Sequence, residues 1–154
     1  MDKDELWMKV ALAEAEGALD EGDVPVGAVV VANDRVIGRG HNHVEALGDP
    51  TAHAEILAIG AACRTLKASR LTGAAIYVTM EPCPMCAGAI VLARLDSLVY
   101  GCPDSKSGYC GSLGNITDDP ALNHRVSVRS GVLEGECATL LSRFFAELRR
   151  SGGA

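Results

Sequence analysis

Residues 74–94, AAIYVTMEPCPMCAGAIVLAR, carry the junction on which the fold depends. Residues 74–79 (AAIYVT) are a short apolar run rich in β-branched and aromatic side chains, which predicts a buried strand. Pro84 has the fixed φ that suits the first turn of a helix, and that helix is expected to run to about Arg94. Cys83 and Cys86 then lie at a helix N-terminus. Upstream, Asp49, Pro50 and Thr51 are helix-start residues, and Ile56, Ile59, Cys63 and Leu66 recur at helical spacing, which puts His53 and Glu55 in a first turn. Downstream, residues 97–101 (SLVYG) predict a short strand, residues 102–124 mostly loop, and residues 126–132 a last strand.

The flanks extend this pattern. Met8, Leu12, Ala15 and Leu19 mark one face of an N-terminal helix that Gly22 ends. Residues 26–32 (VGAVVVA), the turn residues Asn33 and Asp34, and residues 35–40 predict a hairpin with a buried first strand, after which Gly38 and Gly40 loosen the chain into a loop. A final amphipathic helix carries Cys137, Leu140, Phe144 and Leu148 on one side. Strands alternating with helices favour a three-layer α/β/α arrangement: a mixed central sheet of about five strands, with helices on both faces and ligands gathering at the carboxyl ends of the strands. Residues 1–150 are expected to form a single domain and residues 151–154 a frayed end. No internal repeat or linker interrupts them.

At 154 residues and 48% hydrophobic content, the chain is long enough to bury a real core. It has no run of about 18 apolar residues, and its first nine residues (MDKDELWMK) are acidic where a signal peptide starts basic and turns apolar, so a cytoplasmic, non-membrane protein is expected. The six cysteines are then thiols or ligands, and only Cys83 and Cys86 have ligand spacing. Cys63 and Cys137 fall on apolar helical stripes and are expected to be buried as small hydrophobes. A net charge of −6 argues against an unspecific grip on nucleic-acid phosphates. It leaves room for a local basic patch, with Arg143, Arg149 and Arg150 or Lys106, Asn123, His124 and Arg125 as candidates.

Chemistry concentrates in His53-Ala54-Glu55 and Pro82-Cys83-Pro84-Met85-Cys86. A Cys-x-x-Cys pair alone also serves redox centres and structural zinc knuckles. With His53 there are three zinc ligands, one short of a closed structural shell, and the other cysteines and histidines have no partner spacing. A fourth position is then open to water, whose pKa a catalytic zinc lowers to roughly 7. Helix N-termini favour thiolate at Cys83 and Cys86. Glu55 need not be a ligand and is placed to take a proton from that water and pass it to a ring nitrogen and a leaving amine. Two residues apart, His53 and Glu55 do not share a regular helix face, so the site must sit at a helix tip. Glu81 is as readily a charge at a strand end and is assigned no chemistry.

The His-x-Glu and Pro-Cys-x-x-Cys pair is a known signature of zinc-dependent nucleobase deaminases. With residues 24–30 (VPVGAVV), 49–56 (DPTAHAEI) and 77–90 (YVTMEPCPMCAGAI), the chain resembles the cytidine deaminase-like superfamily. Asp104, Lys106 and Gly108, Gly111-Ser112-Leu113, Asn123-His124-Arg125, Glu136-Cys137 and Phe144-Phe145 resemble its bacterial tRNA-specific adenosine deaminase branch. The resemblance implies hydrolysis of adenosine to inosine, with release of ammonia, at wobble position 34 of a tRNA anticodon stem-loop. It also implies one zinc per subunit held by His53, Cys83 and Cys86, proton transfer by Glu55, a flipped-out base lined by Asn42 and Val26, and a homodimer. Asp104 and the Phe144-Phe145 pair match positions associated with the RNA strand or the pocket rim, although Phe144 equally fits the core stripe. The acidic charge and the loop 41–47 (HNHVEAL) depart from a phosphate-binding surface. Their alternative is a deaminase of free guanine or cytosine, or of their nucleosides, in salvage.

Overall fold

The computed structural model describes residues 2–152. Helix α1 (Lys3–Asp20) starts at Asp2, whose carboxylate accepts a hydrogen bond from the Glu5 amide at 2.9 Å, and Gly22, at φ +80°, follows its end. Strands β1 (Gly27–Ala32) and β2 (Arg35–His41) form the expected hairpin, turning through Asn33 and Asp34 at positive φ. A short helix α2 (Val44–Leu47), which the sequence did not suggest, precedes α3 (Ala54–Leu66). Then come β3 (Ala75–Met80), α4 (Pro84–Leu92), β4 (Ser97–Cys102), β5 (Ser127–Arg129) and α5 (Glu134–Arg150).

The sheet is mixed, in the order β2-β1-β3-β4-β5. β1 is antiparallel to both β2 and β3, whereas β3, β4 and β5 are parallel. Helices α1 and α5 pack together against the sheet, and α3 and α4 adjoin each other. Glycines set the layer spacing: a Cβ at Gly27 would lie 2.1 Å from the Ala11 carbonyl of α1, and one at Gly38 2.4 Å from the Ala58 carbonyl of α3. Gly38 and Gly40 therefore stay within β2 and do not loosen it into a loop. Their missing side chains let α3 lie directly on the strand.

That close approach also moves the buried stripes from the expected residues. In α1 the buried residues are Met8, Ala11, Ala15 and Ala18, while Leu12 and Leu19 are half-buried along α5. In α3 they are Ala54, Glu55, Ala58 and Ala62, so Ile56, Ile59 and Cys63 are only half-buried and Leu66 is exposed. A helix seated on glycine presents alanine to the sheet, since a larger side chain would not fit the gap. The expected last strand shrinks to three exposed residues at the sheet edge, with Val126 and Val132 buried beyond its ends. Cys102, Cys110 and Cys137 are buried thiols. Ser151 and Gly152 form a turn after α5, and the rest of the expected frayed end lies outside the described residues.

Candidate functional site

The N-termini of α3 and α4 meet beside the carboxyl end of β3. His53 caps α3 in extended backbone (φ −78°, ψ 152°), and Cys83 caps α4 in the same way (φ −75°, ψ 175°). His53 thus stands one residue outside the first turn in which the spacing placed it. That step removes the helical constraint between His53 and Glu55, so both serve one site from the helix tip. The Cys83 and Cys86 sulfurs lie 3.6 Å and 3.5 Å from His53 Nδ1. Sulfur and nitrogen ligands at about 2.3 Å and about 2.0–2.1 Å from a tetrahedral zinc stand about 3.5 Å apart. These three donors are therefore spaced to hold a metal ion, and Glu55 stands outside the group.

The electrostatics are uneven. A hydrogen bond from the Cys86 thiol lowers Cys83 to about 4 against the effect of burial, with His53 helping. Cys86 is raised by hydrogen bonding to that thiolate and by burial. His53 is raised chiefly by its hydrogen bond to Cys83. Burial pushes the Glu55 carboxyl up to about 7, against the lowering effects of its own backbone amide and of His53. A carboxyl with such a pKa is suited to carry protons at neutral pH.

A cavity of about 260 Å³ opens over these groups, lined by Val26, Asn42, His53, Glu55, Cys83 and Asp104 among others. It falls just below the usual size of small-molecule sites, about 300 Å³ upward, and suits one base. Asn42 ties its walls together: its Oδ1 accepts from the Ala54 amide at 2.9 Å, and its backbone N–H donates to the Val26 carbonyl at 3.2 Å. Cys86 lies behind the wall, fully buried. Phe144 and Phe145 are not part of it. Phe144 is half-buried beside Leu19, and Phe145 shares a groove with Lys106 and Arg149.

Sequence reasoning missed two carboxylates in the cavity wall. Buried Glu81 accepts from the amides of Asp104, Cys110 and Ser112, each at 3.0 Å, and from the Ser112 hydroxyl. Burial by itself raises Glu81, yet the bonds from Ser112, Asp104 and Cys110 outweigh it and hold the carboxyl below its ordinary value. Asp23 accepts from the Val24 and Glu45 amides at 2.8 Å and 3.0 Å, joining the α1–β1 loop to α2. The sequence signal for Glu81 is adjacency to the motif alone, because every donor to it lies 23–31 residues away, and Asp23 is joined to α2 by a donor 22 residues on. Of the basic candidates, His124 bonds the Leu95 carbonyl, Arg125 pairs with Asp118 and Arg150 with Glu147.

Comparison with known proteins places this geometry. A sequence profile of the MafB19-like deaminase family matches residues 1–149. A tRNA-specific adenosine deaminase of Bacillus subtilis is 51% identical over 150 residues, 97% of this chain and 93% of that protein. Its counterpart in Aquifex aeolicus is 49% identical, covering 96% of this chain and 97% of its own length. A solved structure from work on A-to-I editing by tRNA:A34 deaminases superposes with a TM-score of 0.84 at 46% identity, covering 87% of this chain and 97% of the other. The chain belongs to the MafB19-like deaminase family and, within it, to the tRNA-specific adenosine deaminases.

Proposed function

We propose that this protein hydrolyses the wobble adenosine of a tRNA anticodon to inosine and releases ammonia. The observation that carries the chemistry is Glu55, buried, raised to about 7 and outside the donor group, in the same base-sized cavity as His53 and Cys83. The substrate rests on near end-to-end likeness to tRNA-specific adenosine deaminases. His53, Cys83 and Cys86 would hold one zinc per subunit; thiolates with imidazole suit zinc, which when bound supplies a Lewis acid that activates water.

Glu55 accepts a proton from the attacking water and delivers it to the ring nitrogen next to the carbon under attack. It then transfers the second proton to the amine, which leaves as ammonia while the carbonyl forms. Val26 and Asn42, which line the cavity, contact the flipped-out base, and Asp104 lines the same cavity. Lys106 and Arg149, which line one groove with exposed Phe145, come from the Asp104 loop and from α5 respectively and suit the flanking RNA strand. Phe144 supports that strand by its edge-on contact with Phe145, ring centroids 5.2 Å apart.

Residues 1–150 act as one deaminase domain and function as a homodimer. The face formed by Ile56 and Ile59 of α3 with Ala89 and Leu92 of α4 supports the dimer, since Leu92 is 77% exposed beside these apolar side chains, with Ser69, Arg70 and Arg94 completing the groove. Among the described residues no helix is long and apolar enough to cross a membrane, and a tRNA substrate suits the cytoplasm.

The test is incubation of zinc-loaded protein with an anticodon stem-loop carrying a wobble adenosine and, separately, with free adenine, guanine, cytosine and their nucleosides. Inosine in the stem-loop alone is expected. Turnover of a free base with an untouched stem-loop would overturn the proposal in favour of salvage.

A further inference from the structure

A second donor cluster lies at the other end of the Asn42 segment. His41 closes β2 and His43 follows Asn42, and their rings lie 4.4 Å apart, tilted by 32°. Both face Glu21 at the end of α1: His41 Nε2 is 3.2 Å from Oε1, and His43 Nδ1 is 3.4 Å from Oε2. The three side chains each offer a donor atom within 4.8 Å of the others. Nitrogen and oxygen ligands of a tetrahedral ion, at about 2.0–2.2 Å, stand about 3.3–3.5 Å apart, close to the 3.2 Å and 3.4 Å at which His41 and His43 approach the two Glu21 oxygens.

We propose that His41, His43 and Glu21 form a second site for a divalent transition-metal ion, zinc by donor type, which clamps the end of α1 to the edge of the base cavity. The arrangement around His41 supports this. Its Nδ1 faces Glu14 Oε1 at 3.1 Å, and a proton on Nδ1 donated there leaves the Nε2 lone pair pointing at Glu21. A carboxylate behind a histidine in this way orients metal-ligating imidazoles and makes them more basic. The cluster already attracts positive charge: burial lowers His41, but the carboxylates of Glu14 and Glu21 outweigh it and leave it above its ordinary value. A metal ion would displace that proton.

The cluster is also connected to the cavity. Asn42, between the two histidines, holds the Ala54 amide of α3, and the His43 amide donates to the Ala52 carbonyl at 3.0 Å. Glu21 lies two residues before Asp23, which secures Glu45 of the cavity wall. An ion joining Glu21 to His41 and His43 therefore braces two strips of that wall from outside. The donors are open enough for exchange, with side-chain exposures of 18% for His41, 32% for His43 and 44% for Glu21. Imidazole and carboxylate without thiolate bind less firmly than the cysteine site, so the second ion would come and go while the first stays.

The experiment is equilibrium dialysis of the intact protein against Zn2+, with metal counted per chain and melting followed in parallel. Wild type is expected to bind two ions per chain and to melt at higher temperature as zinc is added. H43A and E21Q, both altered at exposed or half-exposed side chains, should bind one and lose the added-zinc stabilisation. E14Q, behind the site, should weaken the second ion about 10- to 100-fold. Cobalt substitution separates the sites, because only the cysteine site gives a thiolate charge-transfer band. One ion per chain in wild type, or two in every variant, would overturn the proposal.

Discussion

Glu55 sits at position two of a helix, buried on the side that faces the site, and its value comes from its surroundings and not from its type. Replacing it with glutamine keeps its volume and removes the proposed proton carrier. Turnover of a stem-loop substrate by E55Q should fall about 10²- to 10⁴-fold, the usual worth of general acid–base transfer, with metal content unchanged; single-turnover assay and metal analysis check both. Glu81 has a different task, holding the loop from Asp104 to Ser112 through four hydrogen bonds. Because its folded pKa is depressed, its stabilisation is complete above the unfolded value of about 4.3 and is lost as pH falls through the folded one. E81Q should therefore cost on the order of 3 kcal/mol at neutral pH, and the gap between mutant and wild-type melting should narrow toward pH 3. The donor group of His53, Cys83 and Cys86, with Glu55 beside it, was legible in the motif spacing. Glu81 and Asp23 were not, since a carboxylate that organises a loop is recognised only by the distant amides that fold back onto it.

At the level of elements, glycine decides how closely helix meets sheet. The sequence periodicity pointed to Leu12 and Leu19 in α1 and to Ile56, Ile59 and Leu66 in α3 as core residues, yet alanines take those places against Gly27, Gly38 and Gly40. Hydropathy marks the apolar side of a helix but not the distance at which it seats, and at short distance the small residues go in. G38A should push α3 away from β2, because its new methyl would lie 2.4 Å from the Ala58 carbonyl and 2.5 Å from the Ala62 nitrogen. Destabilisation of about 3 kcal/mol is expected by denaturant titration. Activity should fall as well, since α3 carries His53 and Glu55 at its tip. The residues left outside the sheet contact serve other surfaces: Leu12 and Leu19 line the seam with α5, and Ile56 and Ile59 the groove with Leu92.

For the whole molecule, the net charge of −6 and the proposed RNA substrate are reconciled by placement. The cavity wall is acidic, but Lys106 and Arg149 share one groove beside it. K106A/R149A should weaken stem-loop binding and flatten its salt dependence by about 1.4 in the log–log slope, roughly 0.7 for each single-strand phosphate lost. Hydrolysis at saturating RNA should change little. On the opposite side of the fold, L92E puts a charge among the apolar side chains of the α3–α4 groove, and sedimentation should find a monomer where the proposed dimer is expected of wild type.

Chemistry and order of elements were determined by the sequence alone: a strand, a proline-started helix with Cys83 and Cys86 at its head, and His53 and Glu55 before another helix. These depend on local rules of spacing, capping and alternation. Only the tertiary structure decided that His53 and Cys83 are caps, that Phe144 and Phe145 lie outside the cavity, and that Glu21 reaches His41 and His43. The physical reason is sequence separation. A capping or periodic signal spans a few residues, whereas the carboxylate, imidazole and amide that share a hydrogen bond here come from segments about 20 or 30 residues apart, brought together by burial of the sheet between its helices.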